Sequence, residues 1–303
     1  MIKTLIHLLL TITMLHANAQ DQSGNLRNDI SSNKQFELKT QDTVHHVYNM
    51  NYWVSGTFSL IATAANIYAI PNIIKAKREL TDAEIAGLNR DIFSGFDMWA
   101  LELNPSKRAE FYKASDLALP VIIAGTGALA FDKNIKKDWL RLLVMYYELH
   151  AVTFSTYNFS FFGPSFQNKL RPVVYYEELP LDLRKGGNQR NSMYSGHTAT
   201  ASASTFFMVK VYCDYHPEIG KKKYLLYAIA SVPPLIEGYL RMKALAHFPS
   251  DIMIGFTIGA VAGVVIPDLH KIRNKNISIG LVPTPVGPGI SIGWQPNYEK
   301  KTN

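Results

Sequence analysis

Six apolar stretches punctuate the chain, and their lengths predict a bundle of helices. Residues 53–70 carry no charge, and Tyr48, Tyr52 and Trp53 stand at their entrance, the pattern of a membrane-crossing helix with interfacial aromatic anchors. Residues 117–131 form the second stretch. Residues 139–162 form the third, with Glu148 and His150 inside it, read as a polar pair satisfied within the bundle. Residues 197–211, 224–236 and 252–266 complete the set, while the segment from Lys75 to about residue 115 is charged and amphipathic. The period changes after the last helix. Residues 276–294 alternate on either side of a Pro/Gly-rich turn, which predicts a β-hairpin with no chemistry of its own. The expected fold is therefore all-α, a bundle of about six apolar helices with a short C-terminal hairpin.

The polar positions set the domain plan. Residues 1–19 read as an export signal: Lys3, then an apolar run from Thr4 to Leu15, then the small-residue site Ala17-Asn18-Ala19. Residues 20–47 are rich in Asn, Ser, Gln and Asp and read as a flexible lead-in, with His45 and His46 as solvated residues. The helical domain spans 48–270, and 271–303 form a tail with the hairpin.

Composition sharpens the partner class. Hydrophobic residues make up 47% and charged residues 18%, below the roughly 25% charged usage of soluble domains. The net charge of +7 is spread over short groups without a basic stripe and interleaved aromatics, which argues against nucleic acid and suits anionic headgroups or phosphate substrates. Cys213 is the only cysteine, so an internal disulfide is excluded.

Candidate chemistry concentrates in Arg241–Asp251, where an arginine is followed by His247 and then Asp251. A guanidinium donates several hydrogen bonds to phosphate oxygens and never loses its charge. A carboxylate beside an imidazole fixes its tautomer and steadies the imidazolium, which makes His247 a candidate nucleophile for phosphoryl transfer. The competing reading is a helix end with scattered polar residues. Upstream, Ser195-Gly196-His197 opens a helix whose first amides suit an anion, with His197 placed to protonate a departing oxygen; alone, this is also an ordinary helix cap. Arg171-Pro172 adds another guanidinium.

In this order the three pieces resemble the type 2 phosphatidic acid phosphatase superfamily, which also holds bacterial class A acid phosphatases and vanadium haloperoxidases. Its motifs are Lys, six residues, Arg-Pro; then Pro-Ser-Gly-His; then Ser-Arg, five residues, His, three residues, Asp. Arg171-Pro172 matches the end of the first; Ser195-Gly196-His197 matches the second, with Tyr194 for Pro; Arg241, His247 and Asp251 match the third, with Leu240 for Ser. The resemblance covers residues 139–267. One position departs: the Lys of the first motif falls on Pro164, and Lys169 is the nearest replacement.

The resemblance implies a phosphatase acting on a phosphomonoester or pyrophosphate of an envelope lipid, such as phosphatidic acid, phosphatidylglycerol phosphate, undecaprenyl pyrophosphate or a lipid A type. Arg171, Arg241, Ser195, Gly196 and, less directly, Lys169 would hold the phosphoryl group. His247 would attack, oriented by Asp251, and His197 would act as the acid. No metal or cofactor is required, because the arginines supply the charge; vanadate enters only if the chain is a haloperoxidase. A soluble periplasmic acid phosphatase and a non-catalytic envelope protein with a decayed site also fit the same residues.

The implied location is a bacterial inner membrane with a periplasm-facing site. That orientation puts Lys136-Lys137 and Lys221–Lys223 inside, as the positive-inside rule asks. Counting back then starts residues 53–70 inside, whereas a cleaved signal would start them outside. Either the first apolar stretch does not cross, or an extra crossing lies within 80–115, or the protein is a wholly periplasmic, soluble helical one, which a mean hydropathy of −0.02 also accommodates.

Overall fold

A computed structural model of the protein describes residues 46–272 and two strands, 277–284 and 287–294. The expected signal peptide and nearly all of the polar lead-in lie outside the described residues. The body is all-α, built of seven principal helices. They are α1 (Tyr52–Ala76), α2 (Arg108–Gly125), α3 (Trp139–Phe159), α4 (Gly196–Tyr215), α5 (Lys223–Ala230), α6 (Val232–Lys243) and α7 (Pro249–His270). The expected single helix over 224–236 is instead two helices that part at Ser231. Pro233 and Pro234 lack the amides that a continuous helix needs, and both fit the first turn of α6. The strands β1 (Ile277–Thr284) and β2 (Gly287–Trp294) pair antiparallel, Ile277 opposite Trp294, as the alternation predicts.

α4 is the axis of the bundle, touching α2, α3, α5, α6 and α7. Its sequence explains why. From Gly196 to Thr205 every side chain but His197 is Gly, Ala, Ser or Thr, so neighbouring backbones approach closely. The buried hydroxyls remain satisfied: Ser204 Oγ donates to Thr200 O at 3.0 Å, and Ser202 Oγ donates across to Phe256 O on α7 at 2.9 Å. α7 answers with glycines one turn apart. A Cβ on Gly255 would stand 2.4 Å from Ser195 O, one on Gly259 2.0 Å from Ala199 O, and one on Gly263 2.7 Å from Ala203 O. The contacts advance along both helices together, so α4 and α7 run parallel and start at the same end. Gly259→Leu is expected to force them apart and destabilise the fold by about 1–3 kcal/mol or more. Gly56→Ala, at a glycine with nothing within 4 Å of its Cβ position, is expected to be neutral or slightly stabilising. Thermal unfolding of both variants in one detergent checks the contrast, and equal melting temperatures would refute the packing account.

Away from α4 the bundle presents apolar residues outward. Three described helical segments are long and apolar enough to cross a membrane: Tyr52–Ala76, Pro105–Phe131 and Pro249–His270. Trp53, Leu60 and Ile67 on the first, Leu117 and Val121 on the second, and Val261 and Leu269 on the third are all exposed. The sequence left the number of crossings among its six apolar stretches open; α3, which carries Arg141, Glu148 and His150, and α4, with its run of hydroxyls, are not among these three. Glu148 and His150 are buried or half-buried but are not each other's partners. Glu148 meets His270 Nε2 at 3.1 Å, and His150 meets Ser204 Oγ at 3.4 Å.

Candidate active site

The parallel starts of α4 and α7 bring the second and third motifs to one end of the bundle, and backbone hydrogen bonds lace the first motif to them. Val173 N donates to Leu245 O at 3.1 Å, Ser192 N to Lys169 O at 3.0 Å, Arg171 N to Gln189 O at 2.8 Å, and Ser195 N to Asp251 O at 3.1 Å. The segment between Arg171 and Ser195 is held from outside too. Arg190 binds Glu84 at 2.8 Å and Arg78 O at 3.1 Å, and Gly187 passes so near Lys77 that a Cβ would stand 2.0 Å from its carbonyl.

Arg241 sits in the last turn of α6, 2% exposed. The chain then reverses in a Schellman-type cap: Ala246 N donates to Arg241 O at 3.1 Å and Leu245 N to Met242 O at 2.8 Å. The left-handed position of that cap normally belongs to glycine, but here Leu245 takes it with φ +54°. The conformation costs about 1–2 kcal/mol. Burial of the side chain among Val173, Tyr175 and Phe248 offsets a similar amount. The turn delivers His247 two residues later.

His247 is 2% exposed, and its Nδ1 lies 2.6 Å from the Ser192 carbonyl oxygen. A carbonyl only accepts, so Nδ1 carries the proton and the neutral ring keeps its lone pair on Nε2. Burial, then the charges of Arg171 and Arg241, hold the imidazole well below its ordinary pKa. His197, in the first turn of α4, is pushed down to about 4 by burial and by Arg241, with Asp116 opposing the shift. Its Nε2 lies 3.3 Å from Asp116 Oδ1, and Arg241 Nη1 lies 3.1 Å from the same oxygen.

These two histidines are neutral in the folded protein near pH 7, whereas an unfolded chain protonates its histidines near pH 6.5. Below that value the unfolded state binds more protons, so the stability they contribute is complete above about pH 6.5 and is lost as pH falls. The melting temperature is expected to drop between pH 7 and 5, and to drop less in His247→Gln. An identical pH dependence in wild type and variant would contradict this.

The carboxylate expected to orient His247 does something else. Asp251 is fully buried in the first turn of α7, where Oδ2 accepts from Phe248 N at 2.9 Å and from Ser192 Oγ at 2.6 Å, and Oδ1 meets Lys169 Nζ at 2.8 Å. It reaches His247 only through Ser192, whose hydroxyl it holds and whose carbonyl holds the ring. Lys169, the expected stand-in for the first-motif Lys, is committed to Asp251, Ser250 Oγ at 2.8 Å and Asp97 at 3.3 Å. Ser195 Oγ is occupied as a cap, 2.8 Å from Thr198 Oγ1 and accepting from Thr198 N at 3.4 Å. What Ser195 and Gly196 offer an anion is therefore the start of a helix rather than a hydroxyl. A Cβ on Gly196 would press within 3.3 Å of the Tyr157 ring.

Arg171 Nη2 donates to Asn191 O over a long 3.5 Å, and its buried Nε has no partner among the described residues. Tyr112 shares a cleft with Arg171, and its ring lies 4.5 Å under the Arg241 guanidinium. Tyr112, Ser115 and Asp116 all come from α2, with Ser115 Oγ donating to the buried Glu237 at 2.5 Å. These residues, like Ser192, were not among the expected site residues. Their trace in the sequence is a polar stripe at helical spacing, Arg108, Tyr112, Ser115 and Asp116, at the head of an otherwise apolar helix.

Comparison with known proteins bears directly on this cluster. The model of the PAP2 superfamily matches residues 143–275. None of the curated proteins matches the chain. Among solved structures, the first transmembrane PAP2 type phosphatidylglycerolphosphate phosphatase from Bacillus subtilis is similar at 19% identity, over 71% of this chain and 94% of that one, with a TM-score of 0.38. Arg171, His197, Arg241, His247 and Asp251 all fall inside the stretch from 143 to 275 that the PAP2 superfamily model matches.

Proposed function

We propose that the protein is a phosphatase that cleaves a phosphomonoester or pyrophosphate of an envelope lipid through a phosphohistidine. The observation that carries the reading is the Ser192 carbonyl on His247 Nδ1, which leaves Nε2 as the nucleophilic atom of a neutral ring in the field of Arg171 and the buried Arg241.

In the first step the Nε2 lone pair attacks phosphorus. The P–Nε2 bond forms, the P–O bond to the lipid breaks, and the departing oxygen takes its proton from His197. In the second step water attacks phosphorus, the P–N bond breaks, inorganic phosphate leaves, and His197 accepts the proton of the water. Arg171 and Arg241 offset the equatorial charge throughout. His197 has to be protonated for the first step, yet burial, and after it those same arginines, hold it down to about 4. A phosphoryl dianion seated between them cancels much of their field, so the substrate itself raises His197 toward its working state while Asp116 steadies the imidazolium.

Placement supports a lipid. His247 and Asp251 stand at the first turn of Pro249–His270, a helix able to cross a membrane, so the reacting phosphorus lies at headgroup depth while the outward apolar residues meet the acyl region. The positive-inside rule, applied to the lysines at 136–137 and 221–223, supports a site that faces the periplasmic side of a bacterial inner membrane.

The test is phosphate release by detergent-purified protein from phosphatidic acid, phosphatidylglycerol phosphate, undecaprenyl pyrophosphate, a lipid A type phosphate and a small soluble ester. Release from one lipid well above the soluble ester is the expected result. Preference for the soluble ester would reassign the protein to the acid phosphatases, vanadate-dependent halide oxidation to the haloperoxidases, and no turnover of any ester would end the enzymatic reading.

A further inference from the structure

We infer that Arg108 is a third phosphate-binding guanidinium, delivered from α2 into the site; the inference rests on the phosphatase reading and adds to it a residue outside the matched family segment. Three arginines gather around one tyrosine. Arg241 lies 4.5 Å and Arg108 5.8 Å from the centroid of the Tyr112 ring, and Arg171 lines the same cleft as that residue. Like charges held this close repel, and the carboxylate seen among them, Asp116, pairs with Arg241. Each of the three guanidiniums also keeps a buried Nε without a hydrogen-bond partner among the described residues. A buried donor left unpaired is costly, and three in one cluster of like charge match the needs of one ligand, an anion with several acceptor oxygens.

The cleft beside them fits that ligand. Arg108, Tyr112, Lys113, Arg171, Asn188 and Gln189 line a cavity of about 320 Å³, so Arg108 and Arg171 open onto the same space from opposite elements. Arg108 stands at the head of α2, one turn before Tyr112 and two before Ser115 and Asp116, so it shares their face. The first-motif position that resemblance assigns to Lys is the buried Pro164, and Lys169 is spent on Asp251. Arg108 is the cation the cluster holds in their stead. Its planar fork binds two phosphate oxygens where an ammonium binds as a point.

The probe is inorganic phosphate, titrated calorimetrically into the full chain in detergent, with ester hydrolysis measured in parallel. Arg108→Gln is expected to weaken phosphate binding about 10- to 100-fold and to lower kcat/KM by a comparable factor. Arg108→Lys is expected to recover part of both, and thermal unfolding without phosphate should be the same in all three proteins. Equal phosphate affinity in wild type and Arg108→Gln would overturn the inference while leaving the phosphatase reading to the ester assay. Weakened binding in a protein that hydrolyses no ester would do the reverse. Wild type that binds no phosphate would overturn both.

Discussion

Replacing His247 with alanine is expected to lower phosphate release by about 1,000-fold or more, because it removes the atom to which phosphorus bonds. The loss has to be separated from misfolding, since His247 is buried and donates to the Ser192 carbonyl. Leaving that carbonyl without its donor costs about 1–3 kcal/mol on its own. His247→Asn provides the separation: its side-chain amide is able to donate to the same carbonyl but carries no nucleophilic nitrogen. Both variants are expected to be inactive, with the asparagine protein unfolding closer to wild type. An alkaline quench of wild type during turnover should retain phosphorus on the protein, and the same quench of either variant should not. Activity that survives in His247→Asn would remove the phosphohistidine from the scheme.

The parts of this site legible in the sequence are those whose chemistry is local. Arg241, His247 and Asp251 lie within one short segment, and Ser195-Gly196-His197 opens a helix, so residue type and spacing alone mark them. The apolar stretches likewise marked the helices, although α2 starts at Arg108, well before its apolar run, and proline at 233–234 divides another. What stayed hidden depends on which backbones touch. The glycines at 255, 259 and 263 have the one-turn spacing that lets helices approach, yet nothing in that spacing names α4 as the partner. Asp116 and Tyr112 belong to a helix that precedes the first motif, and only the packing of α2 against α4 and α6 carries them to Arg241 and His197. Ser192 acts through its main-chain carbonyl, which any residue possesses, so its identity held no signal for that role.

The role of Asp251 is where the arrangement makes its most specific demand. A carboxylate bonded directly to a catalytic histidine fixes the tautomer, and changing it to the amide in such a pair costs about 10,000-fold in kcat by imposing the wrong one. Here the tautomer of His247 is fixed by the Ser192 carbonyl, and Asp251 acts one bond further out, on the Ser192 hydroxyl, on Lys169 and on the amide of Phe248. Asp251→Asn keeps an acceptor for part of this set, so kcat is expected to fall only about 10- to 100-fold, with KM little changed because Arg171 and Arg241 stay in place. Ser192→Ala removes the hydroxyl but keeps the carbonyl, and is expected to fall in the same range. Asp251→Ala is the severe case. It deprives Lys169, Ser192 and Phe248 of a shared buried partner, and breaking such an ion pair from one side costs about 3–5 kcal/mol. The measurement that decides is kcat for Asp251→Asn and Ser192→Ala side by side. Similar modest losses support the relay through Ser192, whereas a collapse confined to Asp251→Asn would show that the carboxylate bonds the imidazole directly during turnover.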